Sequence, residues 1–66
     1  MTFEETYRII IRIIELSKRN STGSPEELAK KLDVPRSTLY RIIEKAKNIG
    51  FRLKYSKDIN SYVLLE

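Results

Sequence analysis

Ser24-Pro25-Glu26-Glu27-Leu28-Ala29-Lys30-Lys31-Leu32-Asp33-Val34-Pro35-Arg36-Ser37-Thr38-Leu39-Tyr40-Arg41 is the stretch whose reading decides the fold. Its first four residues make a helix start. The Ser24 hydroxyl can cap the amide of Glu27, the Glu27 carboxylate can reach back to the amide of Ser24, and Pro25 sits where a missing N–H costs nothing. The helix they open, about residues 25–32, buries Leu28, Ala29 and Leu32 and exposes Lys30 and Lys31. Asp33-Val34-Pro35 then breaks it, because the residue before a proline is pushed towards extended geometry and Pro35 favours the first turn of a new helix. In that next helix, about residues 36–49, Leu39, Ile42, Ile43, Ala46 and Ile49 fall within an arc of about 120° at roughly 100° per residue. Gly50 supplies the left-handed residue that commonly ends a helix.

Downstream of Gly50 the period changes from helical to alternating. Phe51, Leu53 and Tyr55 alternate with Arg52, Lys54 and Ser56, and the turn-rich Lys57-Asp58-Ile59-Asn60 leads into Ser61-Tyr62-Val63-Leu64-Leu65. That is a β-hairpin over about 51–65. Upstream, Asn20-Ser21-Thr22-Gly23 has the composition of a loop, and about residues 3–19 read as a first helix. Its polar strip is narrow, running through Glu4, Arg8, Arg12, Glu15 and Arg19. Phe3, Tyr7, Ile10, Ile11 and Ile14 make one apolar stripe, and Ile9, Ile13 and Leu16 make a second on the other side of Thr6 and Ser17. A helix lying on a small domain needs only one stripe somewhat over 100° wide, so this helix carries more apolar surface than a monomer needs. The expected order is helix, helix, helix, hairpin, in one domain spanning 1–66.

The bulk numbers narrow the function classes. The chain has 66 residues with no His and no Cys, which removes the usual ligands and acid–base groups of metal, thiol and histidine chemistry. The adjacent carboxylates Glu4-Glu5 and Glu26-Glu27 sit at helix starts, where acidic residues favour the helix dipole. No enzyme activity and no cofactor are expected. With 41% hydrophobic residues and no disulfide, stability must come from the apolar core. No apolar run approaches the roughly 18 residues of a membrane span, and no signal peptide is evident. A soluble cytoplasmic protein is expected.

Charge is unevenly placed. Residues 1–34 carry six basic and six acidic side chains, and residues 35–66 carry seven basic against three acidic. The whole excess of +4 therefore lies in the second half. A localised excess is what a polyanion-binding face requires, although a solvated basic surface kept for solubility has the same composition.

Two short helices joined by a three- or four-residue turn form a helix-turn-helix. The residues here resemble that family in detail. Ala29 is the small residue where the second helix crosses closely, and Leu28, Leu32, Val34, Leu39 and Ile42 fall at its apolar positions. Arg36-Ser37-Thr38-Leu39-Tyr40-Arg41 looks like the start of many of its recognition helices. Asp33 stands at a turn position where the family prefers Gly, and Asp tolerates a left-handed backbone better than most residues. Pro35 stands where a capping Ser is common, leaving the helix start without an obvious side-chain cap. With the hairpin, the chain resembles a winged helix-turn-helix domain, similar to the N-terminal part of DeoR-like bacterial transcription regulators. The implied fold class is mainly α: a three-helix core followed by a two-stranded wing.

The resemblance implies double-stranded DNA as partner, with the third helix in the major groove. Arg36 and Arg41 can each offer two N–H groups to guanine, Ser37 and Thr38 can bond to a phosphate or a base, and Tyr40 can rest on the sugar-phosphate wall. Lys45, with Lys47, can position the helix, and Lys54 and Lys57 can follow the backbone from the wing. Lys54 and Lys57 have an equal reading as edge-strand gatekeepers. Glu44 is expected to hold Arg41 or Lys47 as a helix-surface partner rather than to read a base. The role implied is a small transcription regulator or a mobile-element accessory protein, associated with the nucleoid. No ligand-binding domain is expected after the wing. The alternative is a protein-interaction module on the same fold. The surplus surface of the first helix suggests a homodimer through Phe3, Tyr7, Ile10, Ile11 and Ile14, or through the Ile9, Ile13 and Leu16 stripe. The competing possibility is that the chain's own helices and hairpin take both stripes.

Overall fold

The computed structural model describes residues 2–65, so the ends of the expected domain, Met1 and Glu66, lie outside it. Three helices precede one antiparallel hairpin: α1 Phe3–Lys18, α2 Pro25–Lys31, α3 Arg36–Asn48, β1 Arg52–Ser56 and β2 Ser61–Leu65. This is the mainly α winged helix-turn-helix architecture expected from the sequence. No helix of the described residues is long and apolar enough to cross a membrane.

Each boundary has a local cause. The Thr2 hydroxyl accepts from the Glu5 amide and starts α1. At α2 both halves of the capping box form: the Glu27 amide donates to Ser24 Oγ at 3.2 Å, and the Ser24 amide donates to Glu27 Oε1 at 2.9 Å. The α2–α3 turn passes through Asp33 with φ of 56°, which Asp sustains at modest cost. Gly50, with φ of 110°, lets the chain leave α3 for β1.

The core is the meeting of α1, α2 and α3 with the inner face of the hairpin. Ile13, Leu28, Leu39 and Ala46 are fully enclosed, and Ile10, Ile14, Ala29, Ile42, Ile43, Leu53 and Tyr62 complete the cluster. In the hairpin Leu53 pairs with Leu64 and Tyr55 with Tyr62 on the inner face, while Arg52, Lys54, Val63 and Leu65 alternate to the other side. Tyr55 and Tyr62 meet edge to face, with ring centroids 5.3 Å apart.

The buried face of α1 lies between the two stripes read from the sequence. Thr6 and Ser17, which divide those stripes, face inward with Ile10, Ile13 and Ile14. Their hydroxyls are satisfied within the helix, Thr6 Oγ1 donating to the Thr2 carbonyl at 3.0 Å and Ser17 Oγ to the Ile13 carbonyl at 2.8 Å. Ile9 and Leu16 pack at the core's edge. Both stripes are thus partly used by the chain itself. Ile49, counted in the apolar arc of α3, is 48% exposed because it falls at the arc's edge and past the helix end.

Candidate nucleic-acid interface

The geometry of α3 follows from where its buried residues point. With Leu39, Ile42, Ile43 and Ala46 turned inward, the opposite face presents Ser37, Arg41, Glu44 and Asn48, all exposed. Arg36, Tyr40 and Lys47 lie along one flank, and Thr38 and Lys45 along the other. Arg36, Ser37, Tyr40 and Arg41 are exposed and Thr38 is half-buried. Among the described residues, none of these five side chains is spent on a hydrogen bond or ion pair within the chain. Pro35 occupies the N-cap with no side-chain cap bond, so the first-turn amides of α3 end at the surface without a protein partner from a capping side chain.

The two flanks differ. Lys45 and Asn48 border a groove against α1, lined also by Phe3, Tyr7 and Ile49. That places Lys45 beside α1 rather than with the first turns of α3. On the other flank Lys47 shares an open depression with Arg52, Lys54 and Leu65 at the base of the wing. Lys54 therefore joins a basic cluster with Lys47 and Arg52, which only the packing of β1 beside α3 brings together. Strand alternation puts Arg52 and Lys54 on one face, but no spacing rule in the sequence links them to position 47. Lys57 is exposed in the hairpin turn, as is Ile59 at 45%. Glu44 differs from expectation: no ion pair joins it to Arg41 or Lys47 among the described residues. On a solvated helix face the attraction of such a pair is about offset by the entropy of fixing two long side chains.

The wing is held by polar bonds. Thr22 and Ser61, both fully buried, satisfy each other's neighbourhood: the Thr22 amide donates to Ser61 Oγ at 3.2 Å, and the Tyr62 amide donates to Thr22 Oγ1 at 2.7 Å. Nearer the tip, Asn60 Nδ2 donates to Glu27 Oε1 at 3.2 Å, while the Tyr55 hydroxyl donates to Asn60 Oδ1. The capping carboxylate of α2 is thereby also the anchor of the wing. Bonds from the Ser24 amide, the Ser24 hydroxyl and the Asn60 amide favour its charged form and hold the Glu27 carboxyl below its ordinary pKa. Gly23 precedes this site with φ of 74°, and a Cβ there would press on the Glu27 side chain at 3.0 Å. Tyr62 is pushed above the usual tyrosine value by burial first, then by the neighbouring Tyr40 and Tyr55. Lys31, expected to be merely solvated, donates to the carbonyls of Ser21 at 2.7 Å and Thr22 at 3.4 Å, bracing the same loop.

Of the side chains expected at a dimer interface, Ile10 and Ile14 belong to the core, at 2% and 6% exposure, and have no surface left to offer a second copy. The same holds for Ile13 in the alternative stripe. Phe3 and Tyr7 stay exposed, and Ile11 is half-buried.

Three helices with an exposed outer face on α3, followed by a two-stranded hairpin, are the winged helix-turn-helix class. The chain belongs to the CENP-B N-terminal DNA-binding domain family, whose model matches residues 2–53. The match covers the three helices and ends just inside β1, so most of the hairpin lies beyond it. It supports the helix-turn-helix class and says nothing of kinship to DeoR-like regulators. Neither the curated proteins nor the solved structures give a significant match.

Proposed function

We propose that the chain binds double-stranded DNA by laying the N-terminal half of α3 in the major groove, acting as a small transcription regulator or a mobile-element accessory protein at the nucleoid. The observation that carries this reading is the first half of α3, where the side chains of Arg36, Ser37, Thr38, Tyr40 and Arg41 make no hydrogen bond or ion pair among the described residues, beside a helix start without a side-chain cap. Membership of a DNA-binding family supports it. Arg36 and Arg41 supply bidentate donors for guanine edges, Ser37, Thr38 and the first-turn amides reach phosphate oxygens, and Tyr40 lies on the flank that faces the wing. Lys54 and Lys57 follow the adjacent backbone, joined by Lys47 at the wing base. Lys45, exposed on the opposite flank of α3 beside the α1 groove, helps to position the helix.

Fluorescence anisotropy with a labelled mixed-sequence duplex tests the proposal. Binding at low salt should weaken steeply as salt rises, because neutralised phosphates release their counterions. Arg41→Ala should cost about 1–3 kcal/mol on a selected high-affinity site and much less on non-specific DNA. No detectable binding at low salt sinks the proposal and leaves the same fold as a protein-interaction module.

A further inference from the structure

We infer that the wing grips the sugar-phosphate backbone at its base, through Lys47 and Lys54 with Arg52, and not at its tip. This rests on the DNA-binding reading above and locates its backbone hold. Lys47 lies in the last turn of α3, Arg52 and Lys54 share one face of β1, and all three are exposed around a single open depression with Leu65. No acidic side chain of the described residues lines it. Lys47 and Lys54 make no hydrogen bond or ion pair among the described residues, whereas Arg52 has an interaction of its own and adds its charge to the same field. The acids flanking the cluster in the chain are Glu44, on the outer face of α3 one turn before Lys47, and Glu66, which lies outside the described residues. Like charges brought together repel, and a polyanion relieves that cost. Guarding a strand edge accounts for Lys54 but not for Lys47, which stands on a helix.

The tip has the opposite character. Asp58 follows Lys57, and the turn is tied through Asn60 to the Glu27 carboxylate, with Glu26 beside it in the first turn of α2. Lys31, the other cation acting on Glu27, is spent on the carbonyls of Ser21 and Thr22. A phosphate approaching Lys57 therefore meets at least as much negative charge as positive within a screening length of about 10 Å. Lys57 runs beside the backbone with little hold on it. Reach agrees. An α-helix rises about 1.5 Å per residue, so Lys47 stands about 17 Å along α3 from Arg36, beyond the roughly 12 Å width of the major groove. With the first half of α3 in the groove, Lys47 and the wing base beside it arrive at the phosphate rim.

Salt titrations of the full chain on a selected high-affinity duplex and on mixed-sequence DNA test this. The readout is the slope of log affinity against log salt, about 0.9 per phosphate neutralised. Lys47→Ala and Lys54→Ala should each make the slope shallower by about 1 on both DNAs, without lowering thermal melting or changing the preference between the two. Lys54→Arg should keep the wild-type slope, and Lys57→Ala should leave it nearly unchanged. A slope unmoved by both Lys47→Ala and Lys54→Ala overturns the inference while the DNA-binding reading stands. So does a Lys57→Ala effect that matches theirs, or a loss confined to the selected duplex, which would make these lysines base readers. Absence of wild-type binding to either DNA at low salt removes the reading and the inference together.

Discussion

The helices and the wing share one apolar core, which Leu53 and Tyr62 join from the hairpin, but the wing adds a polar hold of its own at its turn end. Between α1, α2 and α3 the contacts are apolar, with Ile13, Leu28, Leu39 and Ala46 wholly enclosed. Around the hairpin's turn end they are polar: the Thr22 and Ser61 hydroxyls and the Asn60 link to Glu27. Apolar packing has no direction but much area, so it supplies most of the stability. Hydrogen bonds add little net energy but fix an orientation, because a buried donor that loses its partner is penalised. Directional bonds of the second kind fix the pose of the wing against α2 and the loop before it.

The largest test of this contrast is Leu39→Ala. Leu39 is fully enclosed where α3 meets α2 and α1, so the truncation should cost about 3 kcal/mol in urea unfolding. In a chain this small, helix and hairpin signals should be lost together, because both lean on the same core. A variant whose hairpin outlives its helices would show that the wing is independent of the core, contrary to the shared cluster of Leu53 and Tyr62 with the α3 side chains.

Thr22→Val should cost less, about 2 kcal/mol, since it keeps the shape and leaves the buried Tyr62 amide without its acceptor. The loss should be local. Amide hydrogen exchange at the start of β2 should accelerate more than in the middle of α3. With Ser61→Ala the two changes should be non-additive, since each already breaks the same reciprocal pair. Uniform acceleration across helix and hairpin would mean that the polar junction supports the whole core rather than the wing's pose.

The same division separates what was readable in the sequence from what was not. Leu39, Ile42, Ile43 and Ala46 declare their face by helical spacing, and Ser24 with Glu27 declares a helix start by local chemistry. The three helices and the hairpin were therefore legible. Thr22 looked like any loop threonine, because nothing local says it will meet Ser61, thirty-nine positions away. Thr6 and Ser17 read as polar dividers although their hydroxyls, bonded back to the helix, let them face the core. The first half of α3 was legible as a free face, since exposure there is simply the complement of the buried arc. The Lys47, Arg52 and Lys54 cluster was not, because it arises from β1 returning beside α3.

The smallest effect tests the wing's outermost anchor through pH. Glu27 accepts from Ser24 and Asn60, which lowers its carboxyl pKa in the folded chain. A group with a depressed folded value contributes stability that is present above its unfolded pKa and is lost as pH falls through the folded one. Acidification from neutral through the carboxylate range, below about pH 4.5, should therefore loosen the bond from Asn60 and the cap at α2 together. In a pH series followed by NMR, the Asn60 side-chain amide should lose its protected position over that window while core methyl signals stay put. Glu27→Gln should remove the pH dependence at Asn60, since an uncharged amide offers the same oxygen at every pH. Asn60→Ala should leave the α2 cap to titrate alone, at a value closer to that of an ordinary carboxyl because one of its three stabilising bonds is gone. Identical titrations in the wild type and Asn60→Ala would mean that Glu27 serves α2 only, leaving Thr22 and Ser61 as the polar hold on the wing.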